Sequence, residues 1–333
     1  MTSNRIGYLD ALRGLAILLV IEGHVRLFGF GIKSYDTMSA LMLYSFDLPL
    51  FFFISGLLAF RPNLSAKETM SNIVKKFKFL VLPAIVFSVA SNLTRHENLL
   101  NPLLFGFKKY WFTITLFECF IIYYVLQLLI PLQKRNKYIM VVFLLVALTF
   151  IGLLSTLSSV GPKVIDTNHL FKYFYFFFFG MLANKYSNIY DRMVQNEYIK
   201  AGCIIGFFAL LLLLDYQIWP SPVFHLLRDV ALRVLGASMI VILFASHSAL
   251  FEKSSKLVRV LVDIGKKSLP IYLLQYFFMP DFKMFPNFLG GADLFTIHII
   301  SVVYTVLITL CCYAFIKVIE QSRFVRTYVL GLK

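Results

Sequence analysis

Tyr8–Phe30 reads YLDALRGLAILLVIEGHVRLFGF. At 1.5 Å per residue a run of this length crosses roughly 30 Å of hydrocarbon, yet it carries Asp10, Arg13, Glu22 and His24. Arg5 precedes it, and no small-residue cleavage site follows, so it is expected to stay in place as a first membrane span. Ionisable groups at membrane depth are costly and mark function unless they are paired for structure alone.

The rest of the chain repeats the pattern. Of 333 residues, 59% are hydrophobic and 15% charged, against roughly 45–50% and 25% in soluble domains. Apolar windows place spans near 8–30, 41–60, 77–93, 111–131, 138–156, 170–185, 199–218, 229–246, 262–280 and 294–316. The expected fold is an all-α bundle of about ten transmembrane helices forming one membrane domain over 1–333. The aromatic run Phe174–Phe179 is short for a span, and Gly180 marks a point of close packing.

The net charge is +15, carried mostly in short loops. That suits anionic lipids and topology control, and it excludes nucleic acid as a partner. Loops on the amino-terminal side hold about twice as many Lys and Arg as those opposite, where Arg26 is counted, so both termini are expected in the cytoplasm. Cys119, Cys203, Cys311 and Cys312 show no metal spacing, and no metal site is expected. Nucleotide-hydrolysis and zinc-protease motifs are missing.

Arg13 and His24 are eleven residues apart, three turns plus about 20°, and share one helix face about 16 Å apart along the axis. A guanidinium near the cytosol suits a phosphate, and an imidazole suits proton transfer. The plainer account pairs Arg13 with Asp10 as an anchor and bonds His24 to a neighbouring helix. Glu22, His24, Asp47, Glu118, Gln275 and His298 fall in one layer of the outer half of the membrane. Glu22 projects some 200° away from His24, so Glu118 and Asp47 are the better candidates to orient the imidazole. Structural ion pairing of those acids, for instance to Arg233 or Lys109, competes with that role.

Ser55-Gly56 reads first as a packing notch. Lys75, Lys76 and Lys78 enforce topology and could also meet donor phosphates. Trp111, at a span boundary, reads as an interfacial anchor.

These residues resemble the acyltransferase family three of membrane proteins, the group containing bacterial O-antigen and exopolysaccharide O-acetylases. The likeness rests on Tyr8–Ala16 (YLDALRGLA), the Arg-x10-His spacing to His24, Phe51–Leu58 (FFFISGLL), Tyr110-Trp111-Phe112, Phe178-Phe179-Gly180 and Ser268–Leu274 (SLPIYLL), in family order across nearly the whole chain. It implies ten core helices in the bacterial inner membrane, acetyl-CoA entering from the cytosol as donor with no permanently bound cofactor, and acetyl transfer to a hydroxyl of a saccharide or polyprenyl-linked saccharide. Arg13, with Asp10, Lys76, Lys78, Ser55 and Trp111, would hold the donor. His24, with Glu118 or Asp47, would carry out transfer. Gln275 stands where the family often has His, and lysines replace spaced arginines before the third span. The competing class is a proton-coupled transporter or flippase using the outer-half acids; a third is a membrane scaffold.

Overall fold

A computed structural model describes residues 4–33, 36–61, 64–94, 109–130, 132, 138–158, 167–213, 222–251, 255–280, 293–322 and 324–332. Regular structure among them is helical: α1 (Asn4–His24), α2 (Met38–Tyr44), α3 (Asp47–Ala59), α4 (Ala66–Lys76), α5 (Leu82–Thr94), α6 (Trp111–Leu129), α7 (Ile139–Ser158), α8 (Thr167–Lys185), α9 (Ser187–Gln195), α10 (Glu197–Leu213), α11 (Pro222–Ser246), α12 (Lys256–Lys266), α13 (Ser268–Leu274) and α14 (Leu294–Ile319). The chain forms two compact units, Met1–Phe51 with Tyr186–Phe315, and Phe52–Lys185 with Ile316–Lys333.

Among the described residues, four helical stretches are long and apolar enough to cross a membrane: Met38–Ala59, Trp111–Leu129, Leu227–Ser246 and Leu294–Ile319. The last is the most apolar, with mean hydropathy 2.4, yet only 33% of its apolar window is buried. Apolar surface turned outward on that scale belongs against hydrocarbon. Helix α1 falls outside the set on charge, not on length.

In the first unit α1 runs on into a π-helical turn, Val25–Phe30. It ends at Gly31, where a φ of 76° lets the N–H reach the Arg26 and Leu27 carbonyls; a Cβ there would cost about 1–2 kcal/mol. Thr37 starts α2 by accepting the Ala40 N–H at 3.1 Å. Helices α1 and α12 meet backbone to backbone. A Cβ on Gly14 would lie 2.1 Å from the Leu261 carbonyl oxygen, and one on Gly265 would lie 1.7 Å from that of Asp10. Only hydrogen fits at either crossing point.

The single span expected over 262–280 is broken in the structure. Helix α12 ends where the Lys267 N–H bonds the Asp263 and Ile264 carbonyls, α13 starts afresh at Ser268, and a 3-10 turn, Gln275–Phe277, follows. Pro270 is the reason: its nitrogen cannot donate to the Lys266 carbonyl, so it sits in the first turn of a new helix. The broken backbone is tolerated because Ser268 and Ile271–Gln275 are buried in protein.

In the second unit Ser65 and Glu68 form a capping box, with the Glu68 N–H on Ser65 Oγ and the Ser65 N–H on Glu68 Oε2. The helix started there runs through a π turn, Phe77–Val81, into α5. Lys75, Lys76 and Lys78 therefore lie mid-helix. The expected close packing at Gly180 is present: a Cβ there would lie 2.0 Å from the Phe53 carbonyl oxygen, and one on Gly56 1.8 Å from that of Phe177. Phe174, Phe176, Phe177 and Phe178 are buried, in a helix longer than 170–185. Positions 214–218 of the expected seventh span lie outside the described residues.

Candidate active site on the first helix

Near the middle of α1, Arg13 Nη1 donates to Asp10 Oδ1 at 2.9 Å, one turn back. The carboxylate is largely buried and the guanidinium 29% exposed, which leaves N–H groups of its fork open to a second anion. Gly265 seats this turn against α12. The anchor pairing weighed from sequence is therefore real, and it also pre-orients the guanidinium.

At the end of α1, His24 Nδ1 lies 3.1 Å from Gln275 Oε1. Phe28 and Tyr276 flank the ring, with centroids 5.6 and 5.1 Å away. Gln275 is fully buried, and its NH2 donates to the Tyr272 carbonyl at 3.1 Å. A carbonyl only accepts, so that bond turns Oε1 toward the imidazole. An acceptor facing Nδ1 places the proton on Nδ1 and the lone pair on Nε2. The chain Tyr272 C=O, Gln275, His24 therefore sets up a basic nitrogen, and Nε2 has no hydrogen-bond partner among the described residues.

No carboxylate among the described residues bonds the His24 ring, a correction to the expectation of an acid there. An amide is cheaper than a carboxylate to bury, and the break at Lys267 delivers it. Asp47 Oδ1 instead accepts the Leu48 N–H at 2.6 Å in the first turn of α3. Glu118 lies on α6 in the second unit.

On the opposite side of α1, Arg26 Nη2 donates to Glu22 Oε1 and Nη1 to Ser39 Oγ, both at 2.8 Å. Nη2 also contacts His298 Nδ1, which lies 3.1 Å from Glu22 Oε1. Arg26 is therefore a buried helix residue, not the loop cation counted above, because the π turn carries the helix past it and Glu22 supplies the countercharge. The Glu22-to-Arg26 spacing of four was the available signal.

The other sequence candidates lie in the second unit. Lys76 Nζ sits 3.7 Å from the centroid of Phe120, and Lys78 Nζ 4.6 Å from that of Tyr328. Trp111 stacks on His169 at 3.7 Å. Ser55 lies beside the Gly56 notch, in accord with its packing account. The described residues include no group of three or more His, Cys, Asp or Glu able to hold a metal ion.

Residues 6–317 match a family model described as an acyltransferase domain, acyltransferase family 3. No curated protein and no solved structure matches the chain.

Proposed function

The chain belongs to acyltransferase family 3, and from that premise we propose that it is a membrane O-acyltransferase of about ten spans, with cytoplasmic termini, in a bacterial inner membrane. It moves an acetyl group from cytosolic acetyl-CoA to a hydroxyl of a cell-surface saccharide or its lipid-linked precursor. The observation that carries the reading is the tautomer control of His24 by Gln275 and Tyr272.

Donor phosphates meet the Arg13 fork that Asp10 holds. The pantetheine arm spans the roughly 16 Å along α1 to His24. There the acceptor hydroxyl attacks the thioester carbonyl while Nε2 takes its proton. The C–O bond forms, the C–S bond breaks, and the imidazolium returns the proton to the leaving thiolate. Gln275 Oε1 stabilises the transient positive charge by accepting the Nδ1–H.

His24→Ala, assayed with radiolabelled acetyl-CoA in membranes, should abolish label transfer to glycan while insertion and amount of protein stay normal. Wild-type transfer rates in that variant would sink the assignment.

A further inference from the structure

Helix α12 has three faces. At 100° per residue, Val258, Leu261, Val262 and Gly265 form one arc, and its Leu261 and Gly265 press on α1. Lys256, Arg259, Asp263 and Lys266 form a second. Leu257, Val260 and Ile264 form a third between them. Its outer part has no covering partner among the described residues: Leu257 is 82% and Val260 57% exposed, while Ile264 is half-buried.

At about 16 Å long, α12 cannot cross a bilayer. A short helix with an exposed apolar arc beside a basic one lies in the plane of the membrane interface. The charge pattern identifies what it lies against. Neither Lys256 nor Arg259 has an ion-pair or hydrogen-bond partner among the described residues, and Lys266 has only an exposed contact with Asp263 at 3.6 Å, which neutralises little. The sole acid on the helix is thus outnumbered by three cations on the arc that meets the headgroups.

We propose that α12 is an interfacial helix that docks on anionic phospholipid headgroups through Lys256, Arg259 and Lys266, with Leu257 and Val260 in the acyl boundary. The inference needs only that the chain is a membrane protein, so its test is independent of acyl transfer. It also gives the lipid a physical route to the site: the docked helix is locked to α1 at Asp10–Gly14, and across Lys267 it joins the helix that leads to Gln275.

The test uses full-length protein in nanodiscs of phosphatidylcholine, with or without phosphatidylglycerol. Leu257→Trp adds an indole whose quenching by brominated lipid is compared with that of the two native tryptophans. Retained phosphatidylglycerol is measured by mass spectrometry for the wild type and for K256Q/R259Q/K266Q, all exposed positions. Quenching of the added indole, with at least about a tenfold loss of retained phosphatidylglycerol in the triple variant, is expected from three interfacial cations. An indole that brominated lipid does not quench would overturn the proposal. So would equal lipid retention by the two proteins, or binding of inorganic phosphate or coenzyme A that depends on these three cations in phosphatidylcholine alone, which would make the arc a soluble-phosphate site.

Discussion

Replacing Gln275 by Leu keeps most of the buried volume and removes the acceptor that faces His24 Nδ1 at 3.1 Å. In the resting enzyme the lost bond is between neutral groups, about 1 kcal/mol, and the bias toward the Nδ1–H tautomer goes with it. In the transition state the ring carries positive charge, and the same bond is charge-assisted, worth about 1.5–3 kcal/mol. The difference between these states, about 0.5–2 kcal/mol, acts on the chemical step; with the less than twofold loss of the reactive tautomer it sums to roughly 1–2.5 kcal/mol, about fivefold to sixtyfold in kcat. KM for acetyl-CoA should stay near wild type, because the donor-phosphate site proposed at Arg13 lies about 16 Å away along α1. Gln275→Glu retains an acceptor at Nδ1 and should keep more kcat than the Leu variant. Steady-state transfer from labelled acetyl-CoA in nanodiscs measures both constants. A Leu variant within twofold of wild-type kcat, or one altered only in KM, would refute the assignment of Gln275 as the residue that sets the histidine's tautomer.

Gly265→Ala forces a Cβ to within 1.7 Å of the Asp10 carbonyl oxygen and should destabilise the protein by more than about 3 kcal/mol in detergent melts. Gly202→Ala, with nothing within 4 Å, should be neutral or stabilising by up to about 1 kcal/mol. Arg26→Met leaves the Glu22 carboxylate buried without its cation and should cost about 3–5 kcal/mol. The double variant Glu22→Leu, Arg26→Met should recover much of that in the same melts. The exposed Glu68 carboxyl is held below its ordinary 4.5 by the N–H and hydroxyl of Ser65. A depressed folded-state value means its contribution is present above 4.5 and fades as pH falls through the folded value. Protection factors of the amides in the first turn of α4, corrected for the intrinsic pH dependence of exchange, should therefore fall on acidification below that point, and Glu68→Gln should flatten the response.

The shared face of Arg13 and His24 was legible because helical periodicity alone decides it, and the pairing of Arg13 with Asp10 follows from one turn of spacing. The partner of His24 was not. Apolar periodicity over 262–280 looks continuous, and only the weight given to Pro270 would have revealed the restart that brings Gln275, not an acid, to the ring. Arg26 was misplaced for a related reason. Topology counting assigns cations at a span's end to a loop, whereas the π turn and the Glu22 countercharge keep this one inside the helix. The Gly56 and Gly180 notches were readable as small residues in aromatic runs, but which backbone each would meet depends on pairing distant segments.

The contacts of α1 carry a consequence for how the protein is made. Its polar groups find their mates far along the chain: His24 with Gln275, 251 residues on, and Arg26 with His298, 272 residues on. At roughly 5–20 residues per second of synthesis, the first helix waits tens of seconds before the segments that neutralise and seat it emerge. Apart from Ser39 on Arg26 Nη1, the partners at hand in that interval among the described residues are its own i,i+3 and i,i+4 pairs, Asp10 with Arg13 and Glu22 with Arg26. These ion pairs serve as internal counterions for the nascent helix, keeping its charges paired before the rest of the fold exists.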